Sequence, residues 1–225
     1  MFGWFKKLGA DEVGLDKMTR ELERMIQEGR HMFDAASNAL LAGTNPDAIR
    51  EDLFQTDQRI NRLEQQIRRQ IVVHGSVHGM TDLPELLILM SVAKDAERIG
   101  DYAKNLFGIA SERPIPPTSA YHKELLAVKE SISGLLGDAP EVYDSQDKPA
   151  AKRFVERAQA SMSRCDRAVE SILASDAGSG LDTAAALSFR HMKRTAGHIQ
   201  NIVTAVLMPV DKLDFFDEPT MKGRP

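Results

Sequence analysis

The 225-residue sequence is poor in cysteine and in aromatic residues, with one cysteine, one tryptophan and three tyrosines. A single cysteine, Cys165, excludes an intramolecular disulfide framework and a zinc site built from thiolates. We expect this thiol to lie on a buried or boundary helix face and to be inert. A reducing compartment, the cytoplasm, fits this cysteine usage best.

Long apolar runs are also missing. The run from Leu86 to Val92 is soon interrupted by Lys94 and Asp95, so no segment approaches the roughly 20 apolar residues of a transmembrane helix. The segment Met1–Lys7 is aromatic and basic, but it is too short for a secretory signal and its charges follow the apolar part. We favour a frayed terminus over a docking peptide or surface anchor.

The sequence predicts neither a nucleic-acid-binding protein nor an enzyme. The formal net charge is −4 and basic residues are scattered among acidic ones, so no basic stripe is available for DNA or RNA. The sequence shows no nucleophile paired with a base, no glycine-rich phosphate loop and no nucleotide-binding fingerprint. We therefore do not expect catalysis.

Apolar residues at helical spacing dominate the chain and predict an all-α fold. The first helix is predicted from about Asp11 to Ala42. Its apolar face carries Leu15, Met18, Leu22, Met25, Met32, Ala36 and Leu40. Asn45-Pro46-Asp47 predicts the start of a second helix that ends at about His74. Its inward residues are predicted to be Leu53, Ile60, Leu63, Ile67 and Ile71.

A third helix completes the first half of the chain. The stretch from Gly75 to Gly79 breaks the helical pattern, and Asp82-Leu-Pro-Glu85 is interpreted as a capping box. The helix that follows is predicted to end at about Glu112. Residues 1–113 are thus expected to form one antiparallel three-helix bundle.

The second half of the chain repeats this pattern after a proline-rich linker over residues 114–117. A fourth helix is predicted from about Thr118, losing definition between Gly134 and Pro140. A fifth begins at Asp147, and a sixth follows residues 176–180 and ends before Pro209. We expect a second antiparallel three-helix bundle over residues 118–213 and an irregular tail over 214–225.

An acidic pair stands inside the third predicted helix. Glu97 and Asp101 are four residues apart, so both carboxylates share one helix face and repel each other. Gly100 between them costs roughly 0.5–1 kcal/mol against alanine. A shared cation, together with close approach of a neighbouring helix at Gly100, would account for both features. The alternative is a solvated acidic face with Lys94 and Arg98 as counterions.

A second acidic face lies on the preceding helix. Asp57, Asn61 and Glu64 are spaced at i, i+4 and i+7, and an antiparallel third helix would bring Glu97 and Asp101 opposite them. Oxygen donors without cysteine suit iron, manganese, magnesium, calcium or zinc and do not select among them. We predict a metal site at these residues. Salt bridges from nearby arginines are the alternative.

The run from Glu97 to Asn105 closely resembles the signature of the PhoU family, the cytoplasmic accessory proteins of bacterial phosphate uptake and signalling. The helix from Asp57 to Glu64 is similar to the family's other acidic helix. The resemblance implies two helical triplets, each with a metal-associated acidic motif. It also implies contacts with the ATPase of a phosphate ABC transporter and with a sensor histidine kinase, which the protein would help to hold inactive. A homodimer is possible, and contact with the membrane would be through partners.

The second copy of the motif is degenerate. Overlaying the third and sixth helices places Lys193 and Gly197 against Glu97 and Asp101, whereas the arginine and asparagine persist. On the preceding helices, Gln159, Ser163 and Asp166 fall against Asp57, Asn61 and Glu64. A lysine in place of a ligand repels a divalent ion, so we predict no comparable cation in the second bundle.

Two other functions remain open. An accessory of a low-affinity phosphate permease would couple to that permease and not to the kinase. A carboxylate-bridged metal enzyme or metal store is disfavoured because the Glu-x-x-His pairs of di-iron bundles are absent. His74 and His78 are four apart, but a turn is predicted between them, so we do not expect them to chelate a metal.

Overall fold

The computed structural model describes residues 12–79, 81–175 and 178–213. Helices account for most of these ranges, which contain no strand. The helices are α1 (Glu12–Leu41), α2 (Pro46–His78), α3 (Leu83–Glu112), α4 (His122–Ser145), α5 (Lys148–Leu173) and α6 (Gly180–Thr204). A short 3-10 turn, Val210–Lys212, follows. The all-α prediction is confirmed. No helix among the described residues is both long and apolar enough to cross a membrane.

The helices pack as two consecutive antiparallel three-helix bundles. Helices α1, α2 and α3 contact one another, as do α4, α5 and α6. Helix α3 also packs on α6, and α1 on α4, so a single apolar core runs through both bundles. This arrangement places the acidic residues of α2 and α3 on one side of the first bundle and the degenerate motif of α6 against α3.

The spacing of apolar residues explains why α1 and α2 form and how they pack. Every residue predicted to face inward on these two helices is at most 9% exposed. Fully burying a side chain such as Leu22 stabilises the fold by roughly 1.5–3 kcal/mol. Asn45 caps α2 as predicted, since its Oδ1 accepts a hydrogen bond from the Asp47 amide at 3.0 Å.

The predicted end of α2 is wrong. The helix runs through Gly75 to His78 and ends at Gly79, whose φ of 72° favours glycine. Gly75 lies inside the helix next to α3, where an added Cβ would be 3.5 Å from Leu86 Cδ1, an ordinary van der Waals distance. The glycine is therefore accommodated within α2 and does not stop the helix.

The predicted capping box at Asp82 is also wrong. Asp82 precedes α3, but its side chain makes no cap hydrogen bond. Its Oδ2 instead lies 2.7 Å from Nε2 of His74, and both residues are only 7% exposed. The carboxylate bonds the buried imidazole and no amide of α3, so tertiary contact overrides the local signal.

Helix α4 begins later than predicted and does not lose definition. It starts at His122 and continues past Gly134 and Pro140 to Ser145. Gly137 lies against α1, where a Cβ would come within 2.5 Å of Nη1 of Arg30. That atom is the end of a flexible arginine side chain that is 46% exposed, so the arginine rests on the open face of this glycine. The helix also continues through Pro140 near its C-terminal end.

The proline-rich linker is held against the first bundle. Ile115 is 1% exposed and its amide donates a hydrogen bond to the Leu40 carbonyl at 2.8 Å. The division into separate domains at residues 114–117 stays a prediction. The Met1–Lys7 segment and the predicted tail over 214–225 lie outside the described residues.

Candidate functional site

The predicted acidic residues of α2 and α3 meet where the two helices pack. Asp57 and Asp101 approach each other across the helix pair, and Nζ of Lys104 lies between them. The ammonium is 2.8 Å from Oδ1 of Asp57 and 3.0 Å from Oδ1 of Asp101. Asn61 Nδ2 donates a longer hydrogen bond, 3.4 Å, to Oδ2 of Asp57. Lys104 thus bridges one carboxylate from each helix.

The other two acids meet in the same way around a second lysine. Nζ of Lys94 lies 2.6 Å from Oε2 of Glu97 and 3.9 Å from Oε1 of Glu64. Arg68, one turn after Glu64 on α2, places Nη2 2.7 Å from the same Oε1. Each carboxylate of this half therefore has a cationic partner.

Arg98 joins the two halves into one ion-pair network. Its Nη1 donates to Oδ2 of Asp101 at 3.0 Å, and its Nε lies 3.9 Å from Oε2 of Glu97. The acidic side chains are the more buried members, at 13% exposed for Glu97 and 27% for Asp101. The Arg98 side chain is 48% exposed. The network therefore presents cations outward, over acids that lie deeper.

The charges of the network stabilise one another. Partial burial favours the neutral form of Asp101, but the hydrogen bond from Lys104 and the charges of Lys104, Arg98 and Lys94 outweigh it, so the pKa of Asp101 is lowered. Burial also disfavours the Lys104 ammonium, yet its bonds to Asp57 and Asp101 raise its pKa overall. Both groups stay charged at neutral pH.

Glu64 behaves differently. Burial raises its pKa above the usual range, and the lowering effects of Arg68 and Lys94 do not fully offset this. The carboxylate is 6% exposed. Its side chain is the most buried of the four acids of the network, and the charges of Arg68 and Lys94 partly offset the cost of that burial.

Gly100 permits the close approach of α3 that the network requires. A Cβ at this position would lie 3.2 Å from Cδ1 of Ile60 and 3.9 Å from Oδ1 of Asp57. Alanines 93 and 96 on the same helix are fully buried. The small residues thus bring the α3 backbone close to α2 and place Asp101 within reach of the Asp57 partner.

The predicted ligands have the right chemistry for a hard metal ion but not the arrangement. Asp57, Asn61, Glu64, Glu97 and Asp101 supply only oxygen donors, with one amide. Lysine ammonium groups lie where an ion would bridge the carboxylates, as the Lys104 and Lys94 contacts show. Within residues 12–79, 81–175 and 178–213, no group of three or more His, Cys, Asp or Glu side chains is placed to hold a metal ion. Metal binding stays a prediction.

The degenerate motif of the second bundle is also built around a lysine. Nζ of Lys193 on α6 lies 2.6 Å from Oδ1 of Asp166 on α5. These are the two positions that match Glu97 and Glu64 in the first bundle. The second bundle therefore has one acid and one lysine where the first has two acids and a lysine.

Residues of the second motif contact α3 at positions outside the acidic network. His198 Nδ1 lies 2.7 Å from Oδ1 of the buried Asp95, which also accepts a hydrogen bond from Asn201 at 3.1 Å. Tyr102 stacks on the His198 ring at 5.5 Å, and its hydroxyl accepts a hydrogen bond from Nε of Arg194 at 3.1 Å. Residues of the second motif thus fix the first bundle to the second.

His74 and His78 lie closer together than their predicted separation by a turn suggests. Both are on α2, and their ring centroids are 4.4 Å apart. Asp82 already bonds Nε2 of His74. A Cβ at Gly14 would lie 2.8 Å from His74 Nδ1, so α1 also confines this ring. The arrangement is that of a structural contact between α1, α2 and the start of α3.

Sequence reasoning missed Lys104 as the partner of the acidic pair. Its position three residues after Asp101 on a helix is a recognisable signal, since residues at i and i+3 are neighbours. The buried pair of His74 and Asp82 was missed because it spans a turn between two helices. The spacing of those two residues gives no helical signal for it.

The chain is an all-α protein of two three-helix bundles, and helices α2 and α3 of the first bundle carry an acidic network. Residues 22–109 match the model of the PhoU domain. The resemblance to the PhoU family is thereby confirmed. The matched segment covers most of α1, all of α2 and most of α3.

Solved structures share the fold over most of the chain. The crystal structure of PhoU from Pseudomonas aeruginosa is 17% identical, with a TM-score of 0.72 over 87% of this chain and 96% of that chain. The phosphate transport system regulatory protein PhoU from Streptococcus pneumoniae is 21% identical, with a TM-score of 0.69 over 86% of this chain and 95% of that chain. No curated protein matches the sequence.

Proposed function

We propose that this protein is a regulatory accessory of phosphate uptake that acts through protein contacts and without catalysis. The observation that carries the proposal is the match of residues 22–109 to the PhoU domain. That segment includes the whole acidic network of α2 and α3. The similar protein from Streptococcus pneumoniae is described as a phosphate transport system regulatory protein.

The proposed partners are the ATPase of a phosphate ABC transporter and a phosphate-responsive sensor histidine kinase. Docking on them in the cytoplasm would bring the protein to the membrane surface without a membrane-spanning segment of its own. When phosphate is abundant, docking would help to hold the kinase in its inactive state. The protein would thereby act as a negative regulator.

The charged face of α2 and α3 is the surface that we propose for docking. The side chains of Arg68, Lys94 and Arg98 are 44%, 41% and 48% exposed. Each is held by a carboxylate beneath it, so less side-chain freedom is lost when a partner binds. Outward cations on buried acids fit an acidic partner surface, and such complementarity raises association rates and specificity.

Charge reversal at the exposed edge of this face tests the proposal. Arg98→Glu removes the cation that joins the two halves of the network and presents a negative charge to the partner. Arg153→Glu is the matched control because Arg153 is exposed on α5 of the other bundle. We expect the Arg98 variant, and not the control, to lose capture of the ATPase or the kinase.

The same variants are tested in cells that lack the native gene. With abundant phosphate, we expect the deletion strain to express a phosphate-starvation reporter, the wild type and Arg153→Glu to repress it, and Arg98→Glu to fail. Capture of a low-affinity phosphate permease without the kinase would assign the alternative accessory role. A deletion strain with unchanged reporter expression and phosphate uptake would contradict both roles.

A further inference from the structure

The acidic cluster of α2 and α3 contains its own cations. Lys104 Nζ is 2.8 Å from the Asp57 carboxylate and 3.0 Å from the Asp101 carboxylate, in contact with both helices at once. A bridging metal ion would have to bind the same two carboxylates. We propose that Lys104 is a tethered cation which takes the place of that ion, so that the native cluster is complete without metal.

Electrostatics supports the role of Lys104. Its side chain is 28% exposed, so the ammonium is partly shielded from water while it remains close to two carboxylates. Hydrogen bonds to Asp57 and Asp101 raise the pKa of the lysine although burial opposes this. The ammonium is therefore more firmly protonated than in water and stays paired with both carboxylates throughout the physiological pH range, with Arg98 as a second cation beside Asp101.

Lysine–carboxylate contacts recur at the corresponding positions elsewhere in the fold. Lys94 contacts Glu97 at 2.6 Å in the other half of the cluster, and Lys193 contacts Asp166 at 2.6 Å at the matching place of the second bundle. In both bundles, lysines thus contact the acids that remain at the motif positions. The recurrence argues against an accidental contact at Lys104.

A tethered cation changes what a free metal ion must do to bind. The ion must displace an ammonium that is held next to the carboxylates at the high effective concentration of an intramolecular group. The displaced lysine must then lose both ion pairs. Removing the Lys104 charge should remove this competition and leave Asp57, Asn61 and Asp101 as oxygen donors open to a divalent ion.

The experiment compares wild type with Lys104→Met and with Lys152→Met, an exposed lysine on α5 that lies outside the cluster. The full-length proteins are purified without added metal, analysed for metal content, treated with EDTA and then titrated calorimetrically with Mn²⁺ and with Zn²⁺. We expect less than stoichiometric metal in wild type and in Lys152→Met. We expect Lys104→Met to bind at least one of the ions at least tenfold more tightly than wild type.

A further variant shows whether the gained site is the intended one. Asp57→Asn/Lys104→Met removes one of the two acids and should lose the gain in affinity. Lys104→Met that unfolds in EDTA and refolds with Mn²⁺ would also support the proposal, because uncompensated acids would then require a cation. If Lys104→Met folds neither in EDTA nor with Mn²⁺, the metal contents of wild type and of Asp101→Asn decide whether the native cluster holds a metal ion.

Two results would overturn the proposal. One is native wild type that carries one metal ion per chain which Asp101→Asn loses. The other is a folded Lys104→Met protein with no greater affinity for either ion than wild type. Neither result depends on the partners proposed above, since docking is tested separately at Arg98.

Discussion

Replacing Gly100 by leucine tests how tightly α3 packs against α1 and α2. A Cβ at Gly100 would lie 3.2 Å from Cδ1 of Ile60 and 3.6 Å from Sδ of Met32. Gly108 is on the same helix, but a Cβ there meets no atom within 4 Å. A leucine therefore has similar helix propensity at the two positions, but only Gly108 leaves open space for its side chain.

The magnitude follows from two opposing contributions. Exchanging a mid-helix glycine for a good helix former stabilises by about 0.5–1 kcal/mol. At Gly108 nothing opposes this gain. At Gly100 the added carbons must displace Ile60 and Met32, both 0% exposed, and overpacking a core costs about 1–3 kcal/mol. We expect Gly100→Leu to be about 1–3 kcal/mol less stable than Gly108→Leu.

Urea denaturation followed by circular dichroism, together with calorimetric melting, measures this difference. For a chain of this size 1 kcal/mol corresponds to about 2–4 °C in melting temperature. Comparing two leucine variants on one helix removes the propensity contribution and leaves packing. Equal stability of the two variants would refute the close approach of α3 at Gly100 and, with it, the geometry that brings Asp101 to Asp57.

Three further predictions concern buried polar groups. Asp82→Ala leaves the buried His74 ring without its partner and should lower the free energy of unfolding by about 1–3 kcal/mol in urea denaturation, whereas a change below about 0.5 kcal/mol would contradict the pair. Burial, with a smaller effect of the Arg190 charge, lowers the pKa of His191 below the 6.5 of the unfolded chain. The unfolded state therefore binds the proton more readily, so stability should fall as pH drops below about 6.5, and His191→Asn should reduce the slope of urea midpoint against pH. Burial raises the pKa of the Cys165 thiol to about 12, so a thiol reagent at pH 8 should label it only on unfolding, and rapid labelling of the native protein would contradict this.

The helices and their buried faces could be predicted from the sequence because a helix places every third or fourth residue on one side. Residues such as Met18 and Leu22 must be removed from water, and their spacing alone fixes the face that is buried. The Asn45 cap was predictable for a similar reason. Its side chain bonds an amide two residues away, so the whole interaction is local.

Helix ends were mispredicted where a glycine lies inside a helix. Gly75 and Gly137 were interpreted as breaks, yet each lies within a helix and contacts a side chain of another helix, Leu86 and Arg30 respectively. A glycine that ends a helix and a glycine inside one are identical in sequence. The burial of the apolar residues on either side decides whether the helix continues, and this burial depends on long-range contacts.

The acids of the candidate site were predictable but their partners were only partly so. The i, i+4 spacing placed Glu97 and Asp101 on one face, and the structure brings both against α2. Lys104 lies on that face too, but a flexible four-carbon side chain reaches either solvent or a carboxylate. The choice depends on Asp57, which belongs to a different helix.

The two motif arginines show how the bundles have diverged. Arg98 is at the exposed edge of the first bundle, where it bonds Asp101 and remains 48% exposed. Arg194, at the matching position of the second bundle, bonds the Tyr102 hydroxyl of the first bundle. Both arginines are exposed, but only Arg194 contributes to the contact between α3 and α6. The acids of the first motif bond cations of α2 and α3, whereas Arg194 and Asn201 of the second motif bond Tyr102 and Asp95 of α3. The two copies of the motif therefore differ in what they hold together: the first joins two helices of one bundle, and the second joins the two bundles.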